Sequence, residues 1–219
     1  MLNFQDFDVV MLLLRLPVLL IALSVHELSH GLAAYTMGDP TAKRDGRLSI
    51  NPLRHIDPIG FACLILFRFG WAKPVMVDPR NLKNPKWNMA LISAAGPFSN
   101  LLLAFIGAMV AVPIFYYSNI AFGGHVHMLL EEFMFINVVL AVFNLLPIPP
   151  LDGSKLFTAW LPDRYYYAFQ HTFSKFGFVL LLILVWAGIT FRIIGPVINF
   201  FYIGIFDVAH RLFEIFIFA

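Results

Sequence analysis

His26-Glu27-Leu28-Ser29-His30 places two imidazoles four residues apart with a carboxylate between them. On a helix, side chains four apart leave one face with Cβ atoms about 5–6 Å apart, so both rings can reach one divalent metal ion. Zinc takes imidazole nitrogen at about 2.0–2.1 Å, and H-E-x-x-H on a helix is the arrangement in which both histidines are ligands. Glu27, three residues before His30, lies beside that pair and can take a proton from water at the metal and pass it to a leaving amine. The implied chemistry is metal-assisted hydrolysis of an amide. Five residues also match by chance, and the competing reading is two histidines packed in a helix bundle. The surroundings argue against it: the pentapeptide stands inside a long apolar run, where ionisable residues are costly and mark function.

A catalytic zinc takes three protein ligands and keeps one position open. Cys63 is the single cysteine, so neither an internal disulfide nor a thiolate cluster can form, and it is read as a buried apolar side chain. The third-ligand candidate is Asp152. It closes the stretch Asn144-Leu145-Leu146-Pro147-Ile148-Pro149-Pro150-Leu151-Asp152-Gly153, where three prolines in four positions end a helix and leave an extended segment able to turn a carboxylate towards the metal. His125 and His127 fall on the opposite side of the expected bilayer and read as an exposed loop pair. His171 and His210 have no partner at useful spacing and read as structural.

The elements that must position these residues belong in lipid. The chain has 219 residues, 60% hydrophobic and 13% charged, against roughly 25% charged in soluble domains; mean hydropathy is +0.79. Apolar runs cover 9–36, 89–117, 128–149, 176–191 and 193–206. Crossing the hydrocarbon layer takes about 20 residues, so the last two are short. Residues 58–70 form a further apolar stretch that carries Arg68 between proline- and glycine-rich segments; it is expected to dip or lie peripherally rather than span. The N-terminus, with Asp6 and Asp8 and no basic region or small-residue cleavage site, does not read as a removed signal peptide. A net charge of +2 gives no basis for nucleic-acid binding.

Nine Lys and Arg lie between residues 43 and 86, and none in 1–10 or 118–127. Positive-inside then places 38–86 and the 151–175 loop in the cytoplasm. His26 and His30 fall in the cytoplasmic half of the first helix, which gives water the shorter route to them. Thr41 to Ile50, with Asp45-Gly46 as a turn, reads as a short hairpin, and Trp71 to Val77 as a further strand. An edge of either could receive an extended peptide by β-addition; a plain cytoplasmic hairpin is the alternative. The C-terminal run breaks at Gly195-Pro196, and Asp207, His210, Arg211 and Glu214 then share one helical face, read as an Asp207–Arg211 pair at a helix end. The expected fold is an all-α polytopic membrane protein: a bundle of about five transmembrane helices with a cytoplasmic or re-entrant β-hairpin region between the first and second spans. It reads as one domain over 1–219, with a core over 9–153 and C-terminal helices over 171–219.

HELSHG at 26–31, NPLRHIDPIG at 51–60, GWAKPV at 70–75, AAGPFSNLLLA at 94–104 and NLLPIPPLDG at 144–153 together resemble the site-2 protease family, the M50 intramembrane metalloproteases. The resemblance runs from about residue 20 to 160, is closest to the short bacterial group without a PDZ domain, and carries all five motifs in the family's order. It implies that His26, His30 and Asp152 bind one zinc ion per chain, that Glu27 is the general base, and that the substrate is a transmembrane segment of another protein. Asn144 matches an asparagine thought to assist at the oxyanion or hold the substrate backbone; an amide satisfying backbone groups freed by the prolines is the other reading. His55 and Asp57 match motif positions for which a helix-boundary hydrogen bond is the default. The chain departs from the family's pattern in having no PDZ-like insertion and no apolar segment before the motif helix. Regulation is therefore expected from a membrane partner, a second copy of the chain or the substrate's own shape.

A bacterial cell membrane, with the active site towards the cytoplasm, follows from the resemblance and the charge pattern. The alternative function is a zinc transporter or metal sensor, since intramembrane histidines and carboxylates also mark ion pathways. Glu27 discriminates, because a transporter needs no general base beside its ligands.

Overall fold

A computed structural model describes residues 9–67, 70–117 and 124–218. Asp6 and Asp8, Arg68, and residues 118–123 lie outside the described residues, and His125 and His127, expected in a loop, stand in a helix instead. The elements are α1 (Val9–Thr36), α2 (Thr41–Arg44), a 3-10 turn at Pro52–Arg54, α3 (Pro58–Phe67), a 3-10 turn at Pro79–Asn81, α4 (Pro85–Val112) continuing into a π-helical turn at Pro113–Tyr117, α5 (Gly124–Asn144), α6 (Asp152–Thr158), α7 (Asp163–Trp186) and α8 (Ile189–Phe218).

Among the described residues, four helical stretches are long and apolar enough to cross a membrane: Leu14–Thr36, Pro85–Tyr116, His125–Asn144 and Ile189–Phe216. The two halves of α7 are bent by 67° to each other and make a fifth if counted as one span. The chain is thus a multi-pass helical membrane protein. α3, with 10 residues, extends only about 15 Å, half the hydrocarbon thickness.

α4 is the central helix and packs against α1, α5, α6 and α8. Lipid offers no hydrophobic drive for helices to associate, so close approach and hydrogen bonds must do it. Small residues supply the approach: Ala104, Ala108 and Ala111 of α4 are fully buried. Ala104 sits with Val138 and Val142 of α5 and Ile194 and Ile198 of α8, and Ala108 and Ala111 sit with Met134 and Ala209. Arg15 of α1 also grips Glu132 of α5 through two hydrogen bonds of 2.7 and 3.0 Å.

Three expectations are corrected. No β-strand is present among the described residues, so the hairpin over Thr41–Ile50 does not form. Asp39 accepts hydrogen bonds from Thr41 N and Oγ1 and starts a helical turn instead, and Ala42 of that turn is buried against α1. Asp45-Gly46 does turn the chain, with Gly46 at φ +66°, but Arg47–Asn51 then runs without a partner strand. Trp71–Val77 is extended, yet among the described residues its only ladder contact is an isolated bridge between Ile56 and Ala72. Finally, α8 runs unbroken through Gly195-Pro196; membrane helices tolerate an internal proline where neighbouring groups or local adjustment of the helix re-satisfy the carbonyl it frees. On the polar face of α8, His210 Nδ1 and Glu214 Oε1 stand 3.8 Å apart.

The segment after α1 is held by Asp39, which is fully buried. Its carboxylate also accepts from Asp78 N at 2.7 Å and Asn81 Nδ2 at 2.7 Å. Burial pushes this carboxyl up, but the hydrogen bonds from Thr41, Asn81 and Asp78 outweigh it and hold it below its ordinary range.

Candidate metal centre

His26 and His30 sit one turn apart on α1, both buried, facing α4. α4 can come this close because residue 96 is glycine: a Cβ there would stand 2.5 Å from His30 Nε2 and 2.6 Å from His26 Nε2. Asp152 arrives from the far side as the first residue of α6. The prolines end α5, and the chain folds back so tightly that a Cβ on Gly153 would lie 2.1 Å from Leu145 O. Ser154 Oγ donates to Leu151 O at 2.7 Å, which fixes the start of α6.

Three side-chain atoms converge. His26 Nε2 and His30 Nε2 are 3.0 Å apart, and Asp152 Oδ2 lies 3.2 Å from the first and 3.1 Å from the second. The hydrogen bonds behind the rings decide which nitrogens carry protons. Asn100 Nδ2 donates to Ala22 O and Asn137 Oδ1, so Asn100 Oδ1 faces His26 Nδ1 at 2.7 Å and must accept its proton. His30 Nδ1 lies 2.7 Å from Ile92 O, which can only accept. Both neutral rings are thereby fixed with Nδ1–H outward and the Nε2 lone pair inward. Two lone pairs and a carboxylate at 3.0–3.2 Å repel one another unless a cation lies between them. The edges of a tetrahedral zinc site with bonds of about 2.0–2.1 Å are about 3.3 Å, so these donors fit zinc in type and spacing.

Glu27 is half-buried, and its Oε2 accepts from Val75 N at 2.8 Å. The extended 71–77 segment therefore lies against α1 beside the histidines. Oε1 of the same carboxylate has no hydrogen-bond partner among the described residues. Asn144 donates its amide to Leu140 O at 2.9 Å and makes no hydrogen bond to His26, His30, Glu27 or Asp152. Asp57 accepts from Ile59 N and Gly60 N at the start of α3. His55 is buried with Nε2 2.7 Å from Ser49 O.

The sequence did not single out Asn100, Asn137, the Ile92 carbonyl or Val75 N–H. The one signal for the first two was an amide within an apolar run, where burial demands partners. Asn100 and Asn137 are both fully buried, and Asn137 in turn donates to Phe133 O at 2.8 Å.

A family model described as Peptidase family M50 matches residues 108–184. The chain is 37% identical over 184 residues to YwhC of Bacillus subtilis (strain 168), which is named as a zinc metalloprotease, with 83% of this chain and 84% of that protein covered. It is 33% identical over 147 residues to Rip2 of Mycolicibacterium smegmatis (strain ATCC 700084 / mc(2)155), also so named, covering 61% of this chain and 52% of the relative. Rip2 of Mycobacterium tuberculosis (strain ATCC 25618 / H37Rv) is 28% identical over 206 residues, covering 88% and 74%. No solved structure gives a significant match. These relatives do not favour the transporter alternative. With the apolar helices, they establish that the chain belongs to peptidase family M50, the site-2 protease family, and is a multi-pass membrane zinc metalloprotease.

Proposed function

We propose that the chain is an intramembrane endopeptidase in which His26, His30 and Asp152 hold one zinc ion, Glu27 is the general base, and the substrate is a transmembrane segment cleaved near the cytoplasmic face of the cell membrane. The observation that carries this reading is the convergence of His26 Nε2, His30 Nε2 and Asp152 Oδ2 at 3.0–3.2 Å with both Nδ1 protons already donated elsewhere.

When bound, zinc polarises the scissile carbonyl and lowers the pKa of water towards neutrality. Asn100 and the Ile92 carbonyl keep the two imidazoles in the tautomer that presents Nε2. Val75 N–H anchors Glu27 through Oε2 and leaves Oε1 to accept a proton from the attacking water and deliver it to the leaving amine. A substrate helix hides its carbonyls in its own hydrogen bonds and must unwind first. The extended 71–77 segment, already touching Glu27, is the edge on which an unwound substrate would pair. Asn144 completes the reading as a group that holds the substrate backbone.

The test is cleavage of a panel of single-span membrane proteins by purified protein in detergent, wild type beside Glu27→Gln, with bound zinc quantified in both. Zinc in both and cleavage by wild type alone is expected; cleavage by Glu27→Gln would sink the assignment of the base. Asp152→Ala should lose zinc itself.

A further inference from the structure

The direction of α8 fixes the path of the chain between α5 and α8. α4 and α5 run in opposite senses: Ala104 of α4 packs with Val138 and Val142 of α5, while Ala108 and Ala111, further along α4, pack with the earlier Met134. α8 joins the first cluster through Ile194 and Ile198 and the second through Ala209. Near the same end, the Phe206 ring lies 6.3 Å from Phe115 and the His210 ring 4.8 Å from Tyr116. α8 therefore runs parallel to α4 and ends on the face where α4 ends. Its start belongs to the other face, from which α4 departs and at which α5 delivers the Asp152 loop.

The chain thus leaves α5 and enters α8 on one face, so whatever lies between them crosses the membrane an even number of times. α7 is the one long helix of that connection, and a single helix cannot cross twice. Its composition agrees: Asp163–Phe173 carries Asp163, Arg164, Gln170 and His171, and Phe176–Trp186 extends only about 16 Å, half the hydrocarbon thickness. Both halves are fastened to the face that bears the Asp152 loop. Gln170 donates to Thr158 Oγ1 at 3.1 Å, and Lys86 to Asp163 at 2.8 Å. A Cβ on Gly177 would stand 2.3 Å from Pro149 O, and the Phe178 ring lies 5.7 Å from that of Trp71.

What this part of the chain exposes fits lipid at that face. Trp160 and Tyr165, at the corner between α6 and α7, are exposed rings whose polar atoms suit the headgroup level. Phe176, Ile183 and the 92% exposed Trp186 offer contact to acyl chains. Arg164 is exposed beside them and attracts anionic headgroups. Asp207, Arg211 and Glu214 are exposed near the end of α8, as a segment emerging on the opposite face requires. We propose that the described chain crosses the membrane four times, by α1, α4, α5 and α8, and that α7 is bedded along the lipid surface on the metal centre's face. The charge pattern makes that face the cytoplasmic one. α8 then ends on the extracytoplasmic face, and α7 holds the Asp152 loop at the depth of the cytoplasmic interface.

Two measurements test it, and neither depends on cleavage. In full-length Cys63→Ala protein, single cysteines are challenged with a membrane-impermeant maleimide in intact and in opened cells, with Asn84→Cys and His125→Cys marking the two faces. Ala187→Cys, in the turn before α8, should label together with Asn84→Cys, and Glu214→Cys together with His125→Cys. Labelling of Ala187→Cys with His125→Cys, or of Glu214→Cys with Asn84→Cys, would show that α7 crosses and overturn the proposal. For depth, nitroxides on Phe176→Cys and Ile183→Cys, which share one helical face, are read by collision with oxygen and a nickel chelate in vesicles of phosphatidylcholine and phosphatidylglycerol. Their depths should agree to within about 4 Å, whereas a crossing helix would separate them by about 10 Å. Nitroxides shielded from both collision partners would mean that a second copy of the chain covers α7, and would overturn the assignment to lipid.

Discussion

Asn100 accepts the Nδ1 proton of His26 at 2.7 Å, although the two residues are 74 positions apart. This bond selects the nitrogen that faces Asp152. Asn100→Leu should leave His26 Nδ1–H and Asn137 Oδ1 without partners and weaken zinc binding about 10- to 100-fold, the usual effect of losing such a support. Zinc affinity by chelator competition checks it, and an unchanged constant in folded Asn100→Leu protein would remove this role. Asn137→Leu should cost less, since Asn137 reaches His26 only through Asn100.

Gly96 is the contact point between α4 and the two imidazoles. A methyl group there would stand 2.5–2.6 Å from both Nε2 atoms, so Gly96→Ala should displace a ring or push α4 away. Zinc content after purification should fall below half of wild type, with cleavage lost in proportion. Gly195→Ala and Gly204→Ala, where nothing lies within 4 Å of the added methyl, should leave zinc and cleavage unchanged. Full zinc occupancy in Gly96→Ala would contradict the packing argument.

Val75 holds Glu27 through its backbone, which only a proline substitution can remove. Val75→Pro should retain zinc and lower kcat by about tenfold, the scale of a misplaced general base. Loss of zinc together with activity would mean that the segment supports the metal site rather than Glu27.

Asp39 anchors the 78–81 segment outside the membrane helices. Because its folded pKa is depressed, the stability it contributes is fully present above the unfolded value of about 3.9 and is lost as pH falls through the lower folded value. Asp39→Asn should lower Tm at pH 7 through weakened charge-assisted bonds, by about 2 kcal/mol in stability. The gap to wild type should stay constant from pH 8 to pH 5 and narrow only below about pH 4. Thermal melts in detergent across that range check it; a gap that closes near neutrality would assign the effect to another group.

Much of this molecule was legible in the chain itself. The apolar runs announced the membrane helices because crossing lipid demands length and hydropathy that no soluble segment needs. The four-residue spacing of His26 and His30 announced a shared face because helical periodicity is local. The three prolines before Asp152 announced that α5 must end there. Where local preference was weak, the sequence misled: Thr41–Ile50 has a turn signal and alternating polarity, but Asp39 and the burial of Ala42 made its start helical. Only the tertiary structure decided that α4 passes close enough at Gly96 for Asn100 and Ile92 to orient the rings, and that Val75 reaches Glu27. Periodicity and hydropathy are set by neighbours along the chain, whereas a hydrogen bond between residues 74 positions apart exists only once helix packing has fixed distances to within a few tenths of an ångström.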